Sequence, residues 1–173
     1  MNSRKIFYLI VSFFLFLLVQ VLILKNMVIF GVVFCFLYVL YLLLLPLEFK
    51  VITMLLISFI IGISVDLFYD TMGIHTASLL VIGFIRNQWI KIITPTGGYD
   101  EDLQPTFLNM GFGWFLTYSI PLFLIHHFLF FSIEMLGTDL FIPVIQKTVF
   151  SATFVFIISI IVQLLFYRRR RGV

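Results

Sequence analysis

Long stretches without a charged side chain recur along this chain, and they limit what it can fold into. The first runs from Ile6 to Leu24 and holds 19 residues. A helix needs roughly 20 mostly apolar residues to cross the hydrocarbon core of a bilayer. The chain is also 62% hydrophobic and only 11% charged, whereas soluble domains carry about 25% charged residues. We therefore expect an all-α, polytopic integral membrane protein.

The breaks between these stretches predict six transmembrane helices in a single domain, residues 1–173. Proline, glycine and clustered polar residues mark the breaks, and proline in particular cannot continue the hydrogen-bond ladder of a helix. A polar loop, residues 94–106, separates the fourth helix from the fifth, and we expect it in the cytoplasm. The predicted spans are residues 6–24, 27–45, 51–69, 74–93, 107–131 and 141–167.

The positions of the basic residues predict how the six helices are oriented. Six crossings place both termini on one side of the membrane, and that side would carry nine of the 11 lysines and arginines. Because basic residues are enriched in cytoplasmic loops, we expect both termini in the cytoplasm. This clustering also accounts for the net charge of +3 without a nucleic-acid partner. Four residues that follow the last span are the orientation anchors: Arg168, Arg169, Arg170 and Arg171.

Asp66 lies well inside the third predicted span, where a charge needs a physical explanation. A charged side chain at the bilayer centre costs about 2.5–3.5 kcal/mol on insertion scales. Gly62, Asp66 and Asp70 are spaced by four residues, so they are expected on one helix face. A glycine on that face would let a second helix approach closely. Two interpretations stay open: Asp66 snorkels outward or caps a neighbouring helix, or it is a polar anchor that faces the bundle interior or a cavity and pairs with a partner.

The fourth predicted helix adds small and polar residues that are candidates for a pocket or a partner contact. Gly73 is expected to form the turn before the helix. His75 is expected at the helix start, in the interfacial zone of the membrane. An inward-facing polar seam is predicted from the spacing of three further residues: Thr76, Gly83 and Asn87. Gly62, Gly73 and Gly83 are the candidates for close helix approach.

Two basic residues occupy the second half of the same helix. We expect Arg86 and Lys91 to extend towards the cytoplasmic interface, where long basic side chains snorkel. We do not expect Arg86 to pair with Asp66, because the two residues would lie in opposite halves of the bilayer.

The chain shows no pattern typical of an enzyme, a metal centre or a cofactor site. His126 and His127 are adjacent, and neighbours on a helix point in different directions, whereas paired ligands on one helix use a four-residue spacing. The nucleophile-elbow and zinc-protease motifs are absent from the sequence. Aspartyl catalysis needs two carboxylates brought together, which Asp66 and Asp70 on one helix do not provide. Cys35 is the single cysteine and indicates no disulfide.

Three segments of the chain read GISVDLFYDTMGIHTASLLVIGFIR, TPTGGYDEDLQPTFLNMGFGWFLTYS and HHFLFFSIE. Together they resemble the MreD family of bacterial rod shape-determining membrane proteins. The likeness is to Gly-x-x-x-Asp followed by a Gly-x-His helix start, an acidic loop containing tyrosine, a Met-Gly-x-x-Trp-Phe run and a histidine pair. It extends over residues from about 55 to 135.

This resemblance implies a non-enzymatic scaffold of the cell-elongation machinery in the bacterial inner membrane. Such proteins pair with MreC, a single-span protein with a large periplasmic domain. Through MreC they connect to MreB, RodZ, RodA and the transpeptidase partner of RodA. The resemblance also implies a fold like the substrate-binding components of ECF-type vitamin transporters, with Gly62 and Asp66 near an outward-facing groove. A small-molecule or lipid-binding transporter subunit is therefore the alternative function.

Overall fold

The computed structural model describes residues 3–99, 103–137 and 141–167, and it is mostly helical. Two residues of extended backbone form each of the two strands, and a short 3₁₀ turn, Leu24–Asn26, precedes them. The elements in chain order are α1 (Ser3–Leu22), β1 (Val28–Ile29), β2 (Val33–Phe34), α2 (Tyr38–Leu44), α3 (Val51–Tyr69), α4 (Ile74–Ile93), α5 (Phe107–Met110), α6 (Phe112–Glu134) and α7 (Phe141–Phe166).

Within the described residues, four helical segments are long and apolar enough to cross a membrane. They are Ser3–Asn26, Val51–Tyr69, Phe112–Glu134 and Phe141–Phe166. Helix α4 has 20 residues, which corresponds to about 30 Å at 1.5 Å per residue, but it carries more polar side chains than these four. The class prediction of a helical membrane protein therefore agrees with the architecture. Helices α3 and α4 also begin and end at the predicted residues.

The prediction of a continuous second helix over residues 27–45 is wrong. Val28–Ile29 pairs antiparallel with Val33–Phe34, and the turn between them has positive φ at Phe30 and Gly31. Only Tyr38–Leu44 is helical, and seven residues span about 10 Å. The sequence misled because its uniform apolar run has no periodicity that distinguishes a helix from a strand. Gly31, which can adopt the positive φ of a tight turn, was the available signal.

The fifth predicted helix, residues 107–131, is also divided. Thr106 caps the short helix α5 through its side chain, which accepts a hydrogen bond from the Asn109 amide. Gly111 then has a φ of 88° and separates α5 from α6. Helix α6 continues through Pro121 and ends at Glu134. A proline is tolerated inside a membrane helix because neighbouring helices can satisfy the backbone groups that it leaves unpaired.

Residues 27–50 form a broken segment, of which residues 35–43 are buried among the other helices. We call the end with residues 70–73 the turn end and the end with residues 94–99 the loop end. At the turn end, Lys25 donates a hydrogen bond to the Phe68 carbonyl. Towards the loop end, Asn87 Nδ2 donates to the Phe49 carbonyl at 2.7 Å. Helix α2 lies between these points in contact with α1, α3, α4 and α6, and nearly all of its side chains are buried.

Candidate functional site

Asp66, on α3, binds the first turn of α4 and fills its hydrogen-bonding capacity there. Its Oδ1 accepts hydrogen bonds from Thr71 Oγ1 at 2.6 Å and from the His75 amide at 3.0 Å. Its Oδ2 accepts from the Thr76 amide at 2.9 Å and the Thr76 hydroxyl at 2.5 Å. The first amides of a helix have no partner within the helix and favour a negative charge. The side chain is only 5% exposed, so its geometry matches the capping interpretation.

Two of the three candidate glycines lie at close helix contacts. A Cβ at Gly62 would clash with the backbone of Thr76 on α4, and one at Gly83 would clash with the Ser58 side chain on α3. Gly73 has open space around it and a φ of 89°. Gly73 therefore forms the predicted turn before α4, and the prediction that it allows close helix approach is wrong.

Asp70 does not share the buried face of Gly62 and Asp66. Helix α3 ends at Tyr69, and Asp70 follows in the left-handed conformation with a φ of 56°. Its side chain is exposed. The four-residue spacing failed here because the helical period no longer applies beyond the last helical residue.

His75 lies in the first turn of α4, at the predicted helix start, and its side chain is fully buried within the protein. Its Nδ1 lies 2.7 Å from the Tyr38 hydroxyl on α2, which also lies 2.9 Å from Nε2 of His126 on α6. A phenol has one proton, so Tyr38 donates to one ring and accepts from the other. Both histidines are 0% exposed because α2 packs between α4 and α6. Sequence reasoning missed Tyr38, which lay in a run interpreted as an ordinary membrane helix.

His127 lies beside this cluster and has its own partners. Its Nδ1 lies 2.7 Å from the Phe123 carbonyl one turn earlier, and its ring stacks on Phe36. A backbone carbonyl only accepts, so Nδ1 carries the proton of this imidazole. In the described part of the chain, histidine, cysteine, aspartate and glutamate form no group of three or more suited to a metal ion.

Arg86 is also fully buried, and the expectation that it snorkels to the interface was wrong. Its Nε donates to the Tyr118 hydroxyl at 2.7 Å, and Nη2 donates to the carbonyls of Leu45 at 2.5 Å and Leu43 at 3.3 Å. Tyr118 itself donates to the Leu43 carbonyl at 2.8 Å. Arg86 thus binds the unpaired carbonyls at the end of α2. A lone arginine in an apolar helix was the sequence signal for a buried role.

Gln20 and Ser151 bind the non-helical backbone before α2. Gln20 Nε2 donates to the Cys35 carbonyl at 2.9 Å, and Gln20 Oε1 accepts from the Tyr38 amide at 3.3 Å. Ser151 Oγ accepts from the Phe34 amide at 2.9 Å. Irregular backbone at membrane depth requires protein partners of this kind.

The predicted seam on α4 does face inward. Thr76 and Gly83 are buried, and Asn87 is half-buried. Thr76 binds Asp66 on α3, and Gly83 contacts Ser58 on the same helix. Asn87 binds the backbone of Phe49, which lies just before α3. Arg86 and Asp66 have separate sets of partners, as expected.

A groove of about 640 Å³ lies elsewhere, between α1 and α7 near the loop end. None of the residues predicted for a pocket lines it. Apolar side chains form most of its wall, and residues from both helices and from the broken segment contribute: Tyr8, Ser12, Phe16, Leu37, Val162 and Tyr167.

Two predicted features lie wholly or partly outside the described residues: the orientation anchors Arg168–Arg171, and residues 100–102 of the polar loop. Comparison with known proteins found no matching family model, no matching curated protein and no matching solved structure.

Proposed function

We propose that this protein is a non-enzymatic membrane scaffold of the MreD type, which holds the single span of MreC within the cell-elongation complex of the bacterial inner membrane. RodA, its transpeptidase partner, RodZ and MreB would be reached indirectly through MreC. The proposal rests on the sequence resemblance together with one structural observation, the internal use of the polar side chains.

That observation is clearest at Asp66. All four hydrogen bonds of its carboxylate go to Thr71, His75 and Thr76 of the same chain. A substrate-binding site normally gathers several polar groups that face a cavity near the membrane midplane. Here Asp66, Arg86 and Gln20 instead stabilise helix ends and the broken segment. This favours a rigid helical framework that offers its outer faces to partners.

The proposed topology has six crossings and both termini in the cytoplasm. In this arrangement the broken segment counts as the second crossing, since residues 27–50 connect the two ends of the bundle. Helix α4 is the fourth crossing, and its polar side chains are accommodated because they face inward. Because Arg86 is buried, it is left out of the count of basic residues at the two membrane surfaces. The proposed topology would then have eight basic residues on the cytoplasmic side and two, Lys25 and Lys147, on the outer side.

Purification of the tagged protein from its native membrane in a mild detergent tests the function. Mass spectrometry of retained proteins and small molecules should find MreC at comparable abundance. Asp66→Ala should reduce MreC retention by weakening the helix framework, while Asp70→Asn, an exposed matched change, should leave it unchanged. A stoichiometric small molecule, lost in Asp66→Ala while protein partners remain, would favour the transporter-subunit alternative instead.

Cysteine labelling tests the topology. The native thiol, Cys35, is removed as Cys35→Ala, and single cysteines are introduced as Lys25→Cys, Lys50→Cys or Gly97→Cys. A membrane-impermeant maleimide should label Lys25→Cys in intact spheroplasts and the other two variants only after lysis. Labelling of Lys25→Cys and Lys50→Cys from the same side would show that the broken segment does not cross.

A further inference from the structure

Tyr38, His75 and His126 form a hydrogen-bonded chain that links α2, α4 and α6. The Tyr38 hydroxyl lies 2.7 Å from His75 Nδ1 and 2.9 Å from His126 Nε2, and none of the three side chains is more than 1% exposed. The ring of His127 lies next to this chain, 5.3 Å from the ring of His126 between centroids. We call Tyr38 and the three histidines the histidine–tyrosine cluster. It holds α2 between two helices through groups whose hydrogen bonding changes when a proton is added.

Each histidine of the cluster has one ring nitrogen without a hydrogen-bond partner among the described residues: His75 Nε2, His126 Nδ1 and His127 Nε2. Nδ1 of His127 carries the proton of that ring, so its Nε2 is a free lone pair. Tyr38 donates to one of the other two rings and accepts from the other, so one of their outer nitrogens is also a free lone pair. Two buried nitrogens can therefore accept a proton directly, whereas a third proton would have to break the hydrogen bond that Tyr38 donates.

The surroundings can compensate for only one added charge. Of the acids that the structure describes, only Asp66 is buried, and its carboxylate binds the backbone amide of His75. The other titratable or charged side chains around the cluster, from every neighbouring element, are Lys25, Cys35, Tyr69, Glu134 and Lys147. Lys147 pairs with Glu134, and Lys25 adds a further positive charge. A second proton in the cluster would thus be a buried charge without a counter-ion, which is strongly unfavourable.

We propose that the histidine–tyrosine cluster is an acid-triggered switch, in which protonation of the histidines releases α2 from its place between α4 and α6. The packing described above is the closed state, which accommodates at most one added proton beside Asp66. In the open state the rings are solvated, and all three can be protonated. Lower pH therefore favours the open state, because that state binds more protons. The proposal does not depend on the MreD-type function.

Cys35 reports the opening. It is the single cysteine, it is 1% exposed, and it precedes Tyr38 by three residues in the broken segment. The purified protein in nanodiscs is treated with dithiodipyridine, which also reacts with thiols in acid, over a series of pH values. Each rate is divided by the rate of Cys35→Ala/Met72→Cys, whose thiol lies on a fully exposed turn. This division removes the effect of pH on the reagent.

The normalised Cys35 rate should rise steeply as the pH falls below about 6.5, the ordinary pKa of a solvated histidine. Three protons in the open state and at most one in the closed state leave a difference of at least two. Two protons predict a rise of about a hundredfold per pH unit below that value. A normalised rate that is independent of pH would overturn the proposal.

Isosteric variants separate titration from packing. The amide of asparagine can replace Nδ1 of histidine, and the amide of glutamine can replace Nε2. His75→Asn/His126→Gln/His127→Asn therefore keeps polar partners for Tyr38 and for the Phe123 carbonyl but removes every titratable ring. Its normalised Cys35 rate should be independent of pH, whatever its level. A rate in this variant that still rises in acid would contradict the switch.

Tyr38→Phe is the complementary variant, because it keeps the three histidines and removes only the hydroxyl that links α2 to them. Its normalised Cys35 rate should be higher than that of the wild type at neutral pH and should still rise in acid. A rate at neutral pH equal to that of the wild type would show that Tyr38 does not hold the closed state.

¹⁵N NMR of the wild-type protein, labelled in histidine and purified without a histidine tag, tests the switch without any substitution. The chain has three histidines, and all of them belong to the cluster. Their signals should change from neutral imidazole to imidazolium over the same pH range in which Cys35 becomes reactive. Imidazolium signals from all three rings while Cys35 stays protected would overturn the proposal.

Discussion

At the scale of single residues, the two buried charged side chains among the described residues, Asp66 and Arg86, bind backbone groups of their own chain. Asp66 binds the amides at the start of α4, and Arg86 binds the carbonyls at the end of α2. A polar group left unsatisfied in the interior costs free energy that a hydrogen-bonded one does not. Each of these residues is therefore expected to contribute to stability, and each can be tested against an exposed neighbour of similar chemistry.

Replacement of Asp66 should destabilise the protein by an amount typical of a lost helix cap. Asp66→Ala leaves the amides of His75 and Thr76 without their acceptor, which should cost about 1–3 kcal/mol in the free energy of unfolding. Asp66→Asn keeps one acceptor and should cost less. Asp70→Asn, at the exposed left-handed position, should change the stability by less than about 0.5 kcal/mol. Thermal unfolding in detergent measures the differences, and equal stability of Asp66→Ala and Asp70→Asn would rule out the cap.

Arg86 should not tolerate lysine. An ammonium group cannot reach the Tyr118 hydroxyl and the Leu43 and Leu45 carbonyls together, as the planar guanidinium does. Arg86→Lys should therefore destabilise the protein by about 1.5–3 kcal/mol, the contribution of hydrogen bonds to a charged group. The matched change Lys91→Arg, at an exposed position five residues later, should be neutral. The same unfolding assay decides, and a neutral Arg86→Lys would show that Arg86 does not hold the end of α2.

At the scale of elements, sequence reasoning succeeded where a helix is long and bounded by clear breakers. The bounds of α3 and α4 follow from Pro46 and Gly73, and close helix approach follows from Gly62 and Gly83. Sequence reasoning failed for residues 27–45, because an apolar run is compatible both with a helix in lipid and with a strand packed inside protein. The difference depends on tertiary partners, Gln20 and Ser151, that lie far away in the chain.

The α3–α4 contact should be sensitive to one methyl group. Gly62→Ala places a Cβ against the backbone of Thr76, which can move only with its helix. Overpacking of this kind costs about 1–3 kcal/mol. Gly113→Ala is the control, because Gly113 is also helical and has open space around it, so alanine should be neutral or slightly stabilising. Unfolding of both variants in detergent gives the comparison, and equal stabilities would contradict close packing at Gly62.

At the scale of the whole molecule, the protein is a helical bundle arranged around a broken segment. Composition was sufficient to predict the membrane class, because its high apolar fraction is incompatible with a soluble domain. The candidate site was predicted only in part: Asp66 and the α4 seam are buried, but the histidine–tyrosine cluster and the role of Arg86 depend on α2, whose shape the sequence did not reveal. The groove between α1 and α7 had no local signal, because its walls are ordinary lipid-compatible side chains.

We propose that the outer surface of this framework binds the membrane span of MreC. The most direct measurement is binding of the purified protein, in lipid nanodiscs, to fluorescent MreC from the same genome, with and without its transmembrane span. We predict saturable binding at one MreC per chain that is lost when the span is removed. Absence of binding, or equal binding by MreC without its span, would contradict the scaffold account.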